Sequence, residues 1–194
     1  MGGVVGSAGP IPLSVILFTV LILLTGVERI VETVISARNA RWAFERGGME
    51  TNKGQLPWMI ALHVGMLLGA LAEVWLLGRP FLPLLGWPML LIALACQAGR
   101  YWVIRSLGHQ WNTRIVVVPG MPLVTTGPYR WGRVPHPNYV IVVIEGAALP
   151  LVHTAWITAL AFTVLNAVLL LGFRVPAEDR ALAGAARIGT GVKT

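Results

Sequence analysis

The sequence predicts an all-α integral membrane protein of about five transmembrane helices, N-terminus outside and C-terminus inside. Three observations carry that prediction. Hydrophobic residues make up 56% of the 194, charged residues only 12%, and the mean hydropathy is +0.72. A soluble domain averages about a quarter charged residues, so much of the usual solvating charge is missing. Several runs are long and uncharged enough to cross a bilayer. The basic residues, finally, fall almost wholly on one side of those runs. A net charge of +7 and a pI near 10.8 therefore fit loops lying against anionic headgroups, not a nucleic-acid partner. The composition also excludes disorder and an ordinary soluble enzyme. Cys96 is the single cysteine, so neither a disulfide framework nor a multi-cysteine metal site is expected, and no metal is assigned.

The predicted spans are 11–27, 57–77, 80–99, 138–153 and 154–173. The first carries no charge. It reads as a span and not a signal peptide, because no basic residue precedes it and no small-residue cleavage site follows. The second has Glu73 as its only formal charge, and the third and fifth have none. The fourth is shorter and interrupted by Glu145 and Pro150, so it pairs with the fifth as a helical hairpin turning at 150–154. With the N-terminus outside, segments 28–56, 100–137 and 174–194 are cytosolic. They hold 14 of the 15 Lys and Arg residues and leave only Arg79 outside.

The first cytosolic piece continues the helix of the first span. Glu28 and Glu32 share a face, as do Arg38 and Trp42, and Gly47-Gly48 provides the stop. Segment 107–139 is different, because Pro119, Pro122, Pro128, Pro135 and Pro137 break any long helix. Its only strand-like run is 114–118, expected to pair with 123–126 in a small hairpin. Pro176 is expected to open a short helix that sets Arg174 and Glu178 four apart on one face. No repeat or linker divides the chain, so residues 1–194 are expected to form one membrane domain.

Ionisable and polar groups in a bilayer are costly, which makes Glu32, Glu73, Glu145, Gln97 and Asn166 candidates by default. Glu73, Gln97 and Asn166 read as hydrogen bonds between neighbouring helices. His63 and His153 read as core residues and Cys96 as a small buried hydrophobe. Function is expected in the proline-broken segment, since turns alone do not require its Arg, Trp and Tyr residues. His136 stands between two prolines, where the backbone is pushed towards extended geometry. Arg174 and Glu178, taken alone, read as a pair capping the last span.

Gly127-Pro128-Tyr129, then Arg133, His136-Pro137-Asn138-Tyr139, an apolar hairpin and Arg174-x-x-x-Glu178-Asp179 follow one another in a recognisable order. This order resembles the isoprenylcysteine carboxyl methyltransferase superfamily, which includes phospholipid methyltransferases, over about residues 100–185. There is one departure: the family's Arg-His-Pro reads Pro135-His136-Pro137 here, with the nearest arginine at Arg133. Trp111-Asn112-Thr113-Arg114-Ile115, the Pro119-Gly120 turn, Glu28-Arg29 through Arg38-Asn39, and Glu145 with Leu149-Pro150-Leu151 resemble a bacterial branch. Members of that branch accompany type III polyketide synthases and O-methylate alkylpyrones or alkylresorcinols.

The resemblance implies S-adenosyl-L-methionine as methyl donor and S-adenosyl-L-homocysteine as product. It assigns the donor to Thr125, Gly127, Pro128, Tyr129, Arg133, His136, Pro137, Tyr139 and Glu178. It makes Arg174 and Glu178 the catalytic pair, and gives the acceptor head group to Glu32, Trp111, Asn112, Arg114 and Glu145. The acceptor is implied to be a lipophilic molecule entering from the bilayer. The setting implied is a bacterial inner membrane with its active site on the cytosolic face. No Gly-x-Gly-x-x-Gly follows a strand, so no soluble nucleotide-binding fold is expected. Carboxyl methylation of isoprenylcysteine, phospholipid N-methylation and, outside enzymes, a small membrane transporter or a non-catalytic scaffold are the competing readings.

Overall fold

The computed structural model of the protein describes residues 10–131 and 136–190. Six helices and a two-stranded ladder make up their regular structure, apart from short 3-10 and π turns. In order these are α1 (Leu13–Phe44), β1 (Met49–Thr51), α2 (Gln55–Leu77), α3 (Pro83–Leu107), β2 (Ile115–Val117), α4 (Pro137–Leu151), α5 (Trp156–Leu169) and α6 (Val175–Thr190). Among the described residues, three helices are long and apolar enough to cross a membrane: Leu13–Phe44, Gln55–Leu77 and Trp156–Gly184. Pro137–Leu151 is a shorter apolar one. The outward faces of these helices and of α3 stay apolar, with Leu76 of α2 81% and Leu84 of α3 96% exposed, as lipid contact demands. This is an all-α membrane protein.

The centre is built from facing small and large residues. Phe18 and Ile22 of α1, Ala70 and Val74 of α2, Leu149 of α4 and Phe162 of α5 are all buried there. α4 and α5 approach closely because residue 146 is glycine; a β-carbon there would run into the Phe162 ring. The expected hairpin is present, with Thr154 in the left-handed region (φ 54°) at its turn. The α5 N-terminus begins there, and its free backbone N–H groups are answered from another helix. Glu73 of α2 accepts hydrogen bonds from the N–H of Ile157 (3.1 Å) and Thr158 (2.8 Å), and Arg79 pairs with it at 2.9 Å. Glu73 is thus a helix cap, in line with its structural reading. Gln97 likewise accepts from Arg29 at 3.0 Å.

α1 runs past the first span as expected and ends at Phe44, followed by Gly47 at φ 77° and the Gly48 N–H bonded to the Ala43 carbonyl. Two expectations need correction. The strand run pairs with β1, not with 123–126: Met49 opposes Val117 and Thr51 opposes Ile115, antiparallel. The α1 extension carries 49–51 alongside β2, an edge that a local hairpin signal cannot reveal. α3 does not end at Gly99 but continues to Leu107, because Arg100 finds buried acidic partners there. Pro176 does stand at the start of a helix, as expected. The chain passes from α5 into α6 through a π turn, Leu170–Arg174, and Pro176 sits in the first turn of α6, where its missing N–H costs little.

Candidate active site

The irregular segment is fixed by the cytosolic end of α1. Asn39 donates to the carbonyls of Gly108 (3.1 Å) and Trp111 (2.7 Å). Ser36, one turn earlier, bonds Asn112 Oδ1 and Thr113 Oγ1, each at 2.7 Å. The Trp42 ring stacks on His109 at 4.9 Å. Arg114 pairs with Glu50 across the strand ladder at 3.3 Å. Further on, Gly127 adopts φ 61° and packs so tightly on Ser106 that a β-carbon would clash. That turn leads into Tyr129, whose hydroxyl is pushed up to about 12 by burial, with the nearby Glu178 carboxylate adding to the shift.

Opposite stands the start of α4 with the start of α6. Pro137 occupies the first turn of α4, where its missing N–H costs nothing, and His136 is the residue before it. The His136 ring stacks on Tyr139 at 5.1 Å. Its Nδ1 lies 3.4 Å from Glu178 and its Nε2 3.2 Å from Asp179. The Glu178 hydrogen bond raises the His136 pKa above its ordinary value, and burial offsets only part of that. The Tyr139 hydroxyl donates to Glu178 and accepts from Arg174 Nε at 2.9 Å. Arg174 is 5% exposed; its Nη2 donates to the Thr113 carbonyl at 2.6 Å, and Nη1 meets the thioether of Met59. One continuous polar chain therefore runs from Asp179 through His136, Glu178 and Tyr139 to Arg174 and Thr113.

A cleft of about 250 Å³ opens between these two walls. Of the residues expected at a site, Trp111, Asn112, Arg114, Tyr129, His136, Tyr139, Arg174 and Glu178 line it. Sequence separations of up to about seventy residues are closed by the fold. Thr125, Gly127, Pro128 and Pro137 do not line it; Gly127 shapes the turn behind Tyr129, and Pro137 is buried at the α4 start. Arg133 lies outside the described residues.

Glu32 and Glu145 do not line the cleft either. Both are buried among Arg29 and Arg100: Glu32 at 2.9 Å from Arg29 and 3.5 Å from Arg100, Glu145 at 3.4 Å from Arg29 and in direct contact with Arg100. The acceptor set expected from the resemblance thus divides between the cleft and an ion network joining α1, α3 and α4. Trp42, His109 and Asn138 line the cleft without having been singled out as site residues. A signal for the α1 wall does exist. Glu32, Ser36 and Asn39 recur at helical spacing on one face, a polar stripe with no reason to face lipid.

Residues 89–184 match the model of the isoprenylcysteine carboxyl methyltransferase family. The uncharacterized protein YpbQ of Bacillus subtilis (strain 168) is 38% identical over 167 residues, 86% of this chain and 96% of that protein. The chain belongs to the isoprenylcysteine carboxyl methyltransferase family. No solved structure matches it. As a member of that family it is a membrane methyltransferase, and its apolar helices agree with that setting. The matched interval contributes most of the cleft of this methyltransferase, from Leu107 to Leu182, whereas Trp42 and Ala43 come from outside it.

Proposed function

We propose that this family member is an S-adenosylmethionine-dependent O-methyltransferase whose acceptor is a lipophilic molecule with an acidic oxygen, an alkylpyrone or alkylresorcinol in type. Five spans with the N-terminus outside would place the cleft at the cytosolic face of a bacterial inner membrane, where the soluble donor is present. The observation that carries the reading is the polarity of the cleft: the Glu178 carboxylate and the Arg174 guanidinium both line it, bridged by the Tyr139 hydroxyl. Two buried atoms in its lining, Trp111 Nε1 and Asn138 Oδ1, have no hydrogen-bond partner among the described residues. A ligand carrying an ammonium, a carboxylate and a polar heterocycle fits such a lining.

When bound, S-adenosylmethionine supplies a sulfonium methyl group, which passes to the acceptor oxygen as the carbon–sulfur electron pair returns to sulfur. Glu178, held by Tyr139 and His136, receives the donor's ammonium in a partly shielded setting where a charge pair is stronger than in water. Arg174 is fixed by Tyr139 and Thr113 at two nitrogens, and its third faces only a thioether, a weak acceptor; that edge steers the acceptor oxygen. The acidic hydroxyl of a 4-hydroxy-2-pyrone is already largely ionised at neutral pH, so that acceptor needs no general base; a resorcinol, being a phenol, would first give its proton to water or buffer. Alignment and exclusion of water then carry the rate. Calorimetric titration of the detergent-purified protein with S-adenosylhomocysteine, followed by mass spectrometry of lipids methylated in its presence, tests the reading. No binding and no methylated lipid would reject it.

A further inference from the structure

A buried N–H without a partner is expensive relative to one that is bonded, because it has lost its water and gained nothing in return. Trp111 is 3% exposed and lines the cleft, and its Nε1 has no partner among the described residues. Its backbone is committed elsewhere, since its carbonyl accepts from Asn39 and its N–H donates to the Gly108 carbonyl at 3.1 Å. The ring is therefore held in place by main-chain bonds that do not involve the indole nitrogen. Other donors along the same wall are engaged. Gln110 Nε2 donates to the Pro122 carbonyl, and Arg114 donates to Glu50; the Asn112 oxygen, an acceptor, is likewise taken, by Ser36 and the Arg114 N–H. Two residues from Trp111, the Thr113 carbonyl anchors Arg174 Nη2. Arg174 lines the same cleft as Trp111, with its Nη1 against Met59. Trp111 thus offers a neutral donor that nothing in the protein satisfies, close in the chain to the anchor of a cationic one.

We infer that the Trp111 indole N–H is a specificity-determining hydrogen-bond donor which, beside Arg174, selects an acceptor presenting an oxygen lone pair over one presenting an ammonium. The inference rests on the methyltransferase reading and deepens it by naming the acceptor class. An oxyanion or carbonyl oxygen accepts from Trp111 and is attracted by Arg174. An ammonium has only donors, so it leaves Nε1 unpaired and sets a second positive charge against the guanidinium. A site whose buried donor must be answered rejects a ligand that cannot answer it far more strongly than an apolar wall does.

The test uses the full-length protein in detergent micelles with a long-chain alkyl hydroxypyrone as probe. Trp111→Phe keeps an aromatic ring and removes the N–H. It should weaken hydroxypyrone binding about 10- to 100-fold, while the S-adenosylhomocysteine dissociation constant stays within about twofold of wild type. A second measurement does not depend on the variant folding. In nitrogen-15-labelled wild-type protein, one indole N–H resonance should move on adding the hydroxypyrone and stay in place with an alkylammonium of the same tail length. Unchanged hydroxypyrone affinity in Trp111→Phe, or no indole shift in the wild type, overturns the inference by leaving the N–H to water. A loss confined to S-adenosylhomocysteine binding overturns it too, by giving Trp111 to the donor. Should the wild type bind hydroxypyrone but no S-adenosylhomocysteine, the donor reading falls, and the inference falls with it.

Discussion

At the scale of single residues, Glu178 and Arg174 are separated in role by what each touches, although both bond the same Tyr139 hydroxyl. Glu178→Gln keeps the shape and removes the negative charge. It should raise the S-adenosylhomocysteine dissociation constant about tenfold or more, as loss of a charged hydrogen bond does, and change turnover little at saturating donor. Arg174→Leu removes the cation and should lower turnover about 100-fold, equivalent to about 2.7 kcal/mol of transition-state stabilisation. Steady-state kinetics of the two variants check this, and wild-type constants in both would remove the pair from the active site. His136 gives a pH dependence whose sign follows from its raised pKa. The charged imidazolium is the form that Glu178 and Asp179 favour, so its contribution is complete below the ordinary histidine value of about 6.5 and fades as pH rises through the raised folded value. The gap in unfolding midpoint between wild type and His136→Ala should therefore be larger near about pH 6 than about pH 9. An equal gap at both would mean that His136 pairs without charge.

At the scale of elements, α1 is tied to the rest of the protein largely through polar side chains. Its upper part packs Phe18 and Ile22 into the core, but its lower part relies on Glu32, Ser36 and Asn39. The Arg29–Glu32–Arg100–Glu145 network balances two positive against two negative charges in a buried setting. Removing one partner strands the others without water. Arg100→Leu should cost about 3–5 kcal/mol of stability, whereas Arg100→Leu combined with Glu145→Leu should recover part of that loss. Thermal unfolding in detergent decides the matter; a double variant no more stable than the single one would show that the charges do not compensate each other. Because α1 also supplies Trp42 and clasps the 108–113 segment, loosening it should weaken S-adenosylhomocysteine binding as well.

At the scale of the whole molecule, the proposal places a water-soluble donor and a lipid-soluble acceptor in one cleft at a membrane face. If the acceptor tail lies along the apolar helices, each buried methylene adds about 0.8 kcal/mol, so two more carbons should lower the apparent acceptor constant roughly tenfold until the groove is filled. Equal turnover of short, water-soluble acceptors would argue against entry from the bilayer. Orientation has its own check. The one-sided distribution of Lys and Arg predicts that a cytosol-active reporter fused after Thr194 works and a periplasm-active one does not. The reverse result would move the cleft to the outer face.

Much of this architecture was legible in the sequence because it depends on local composition. Uncharged runs have to be helices in lipid, where every backbone group must be satisfied within the segment, and prolines at 119, 122 and 128 had to break the chain near the site. The order of Gly127, Tyr129, His136, Tyr139, Arg174 and Glu178 likewise pointed to one surface, and these all meet at the cleft or just behind it. What the sequence could not decide were the long-range pairings. Strand 115–117 could bond any edge of matching length, and only the length and direction of α1 bring 49–51 to it. Arg100 reads as the first residue of a cytosolic loop, yet Glu32 and Glu145 from two other helices compensate its charge and let α3 continue. Glu32 and Glu145 carry the same signal as a site carboxylate until the fold sets arginines against them. Local pattern fixes which segments are helical and which are broken; which charge meets which is a property of the packed helices, because a side chain's partner is chosen by distance in space and not along the chain.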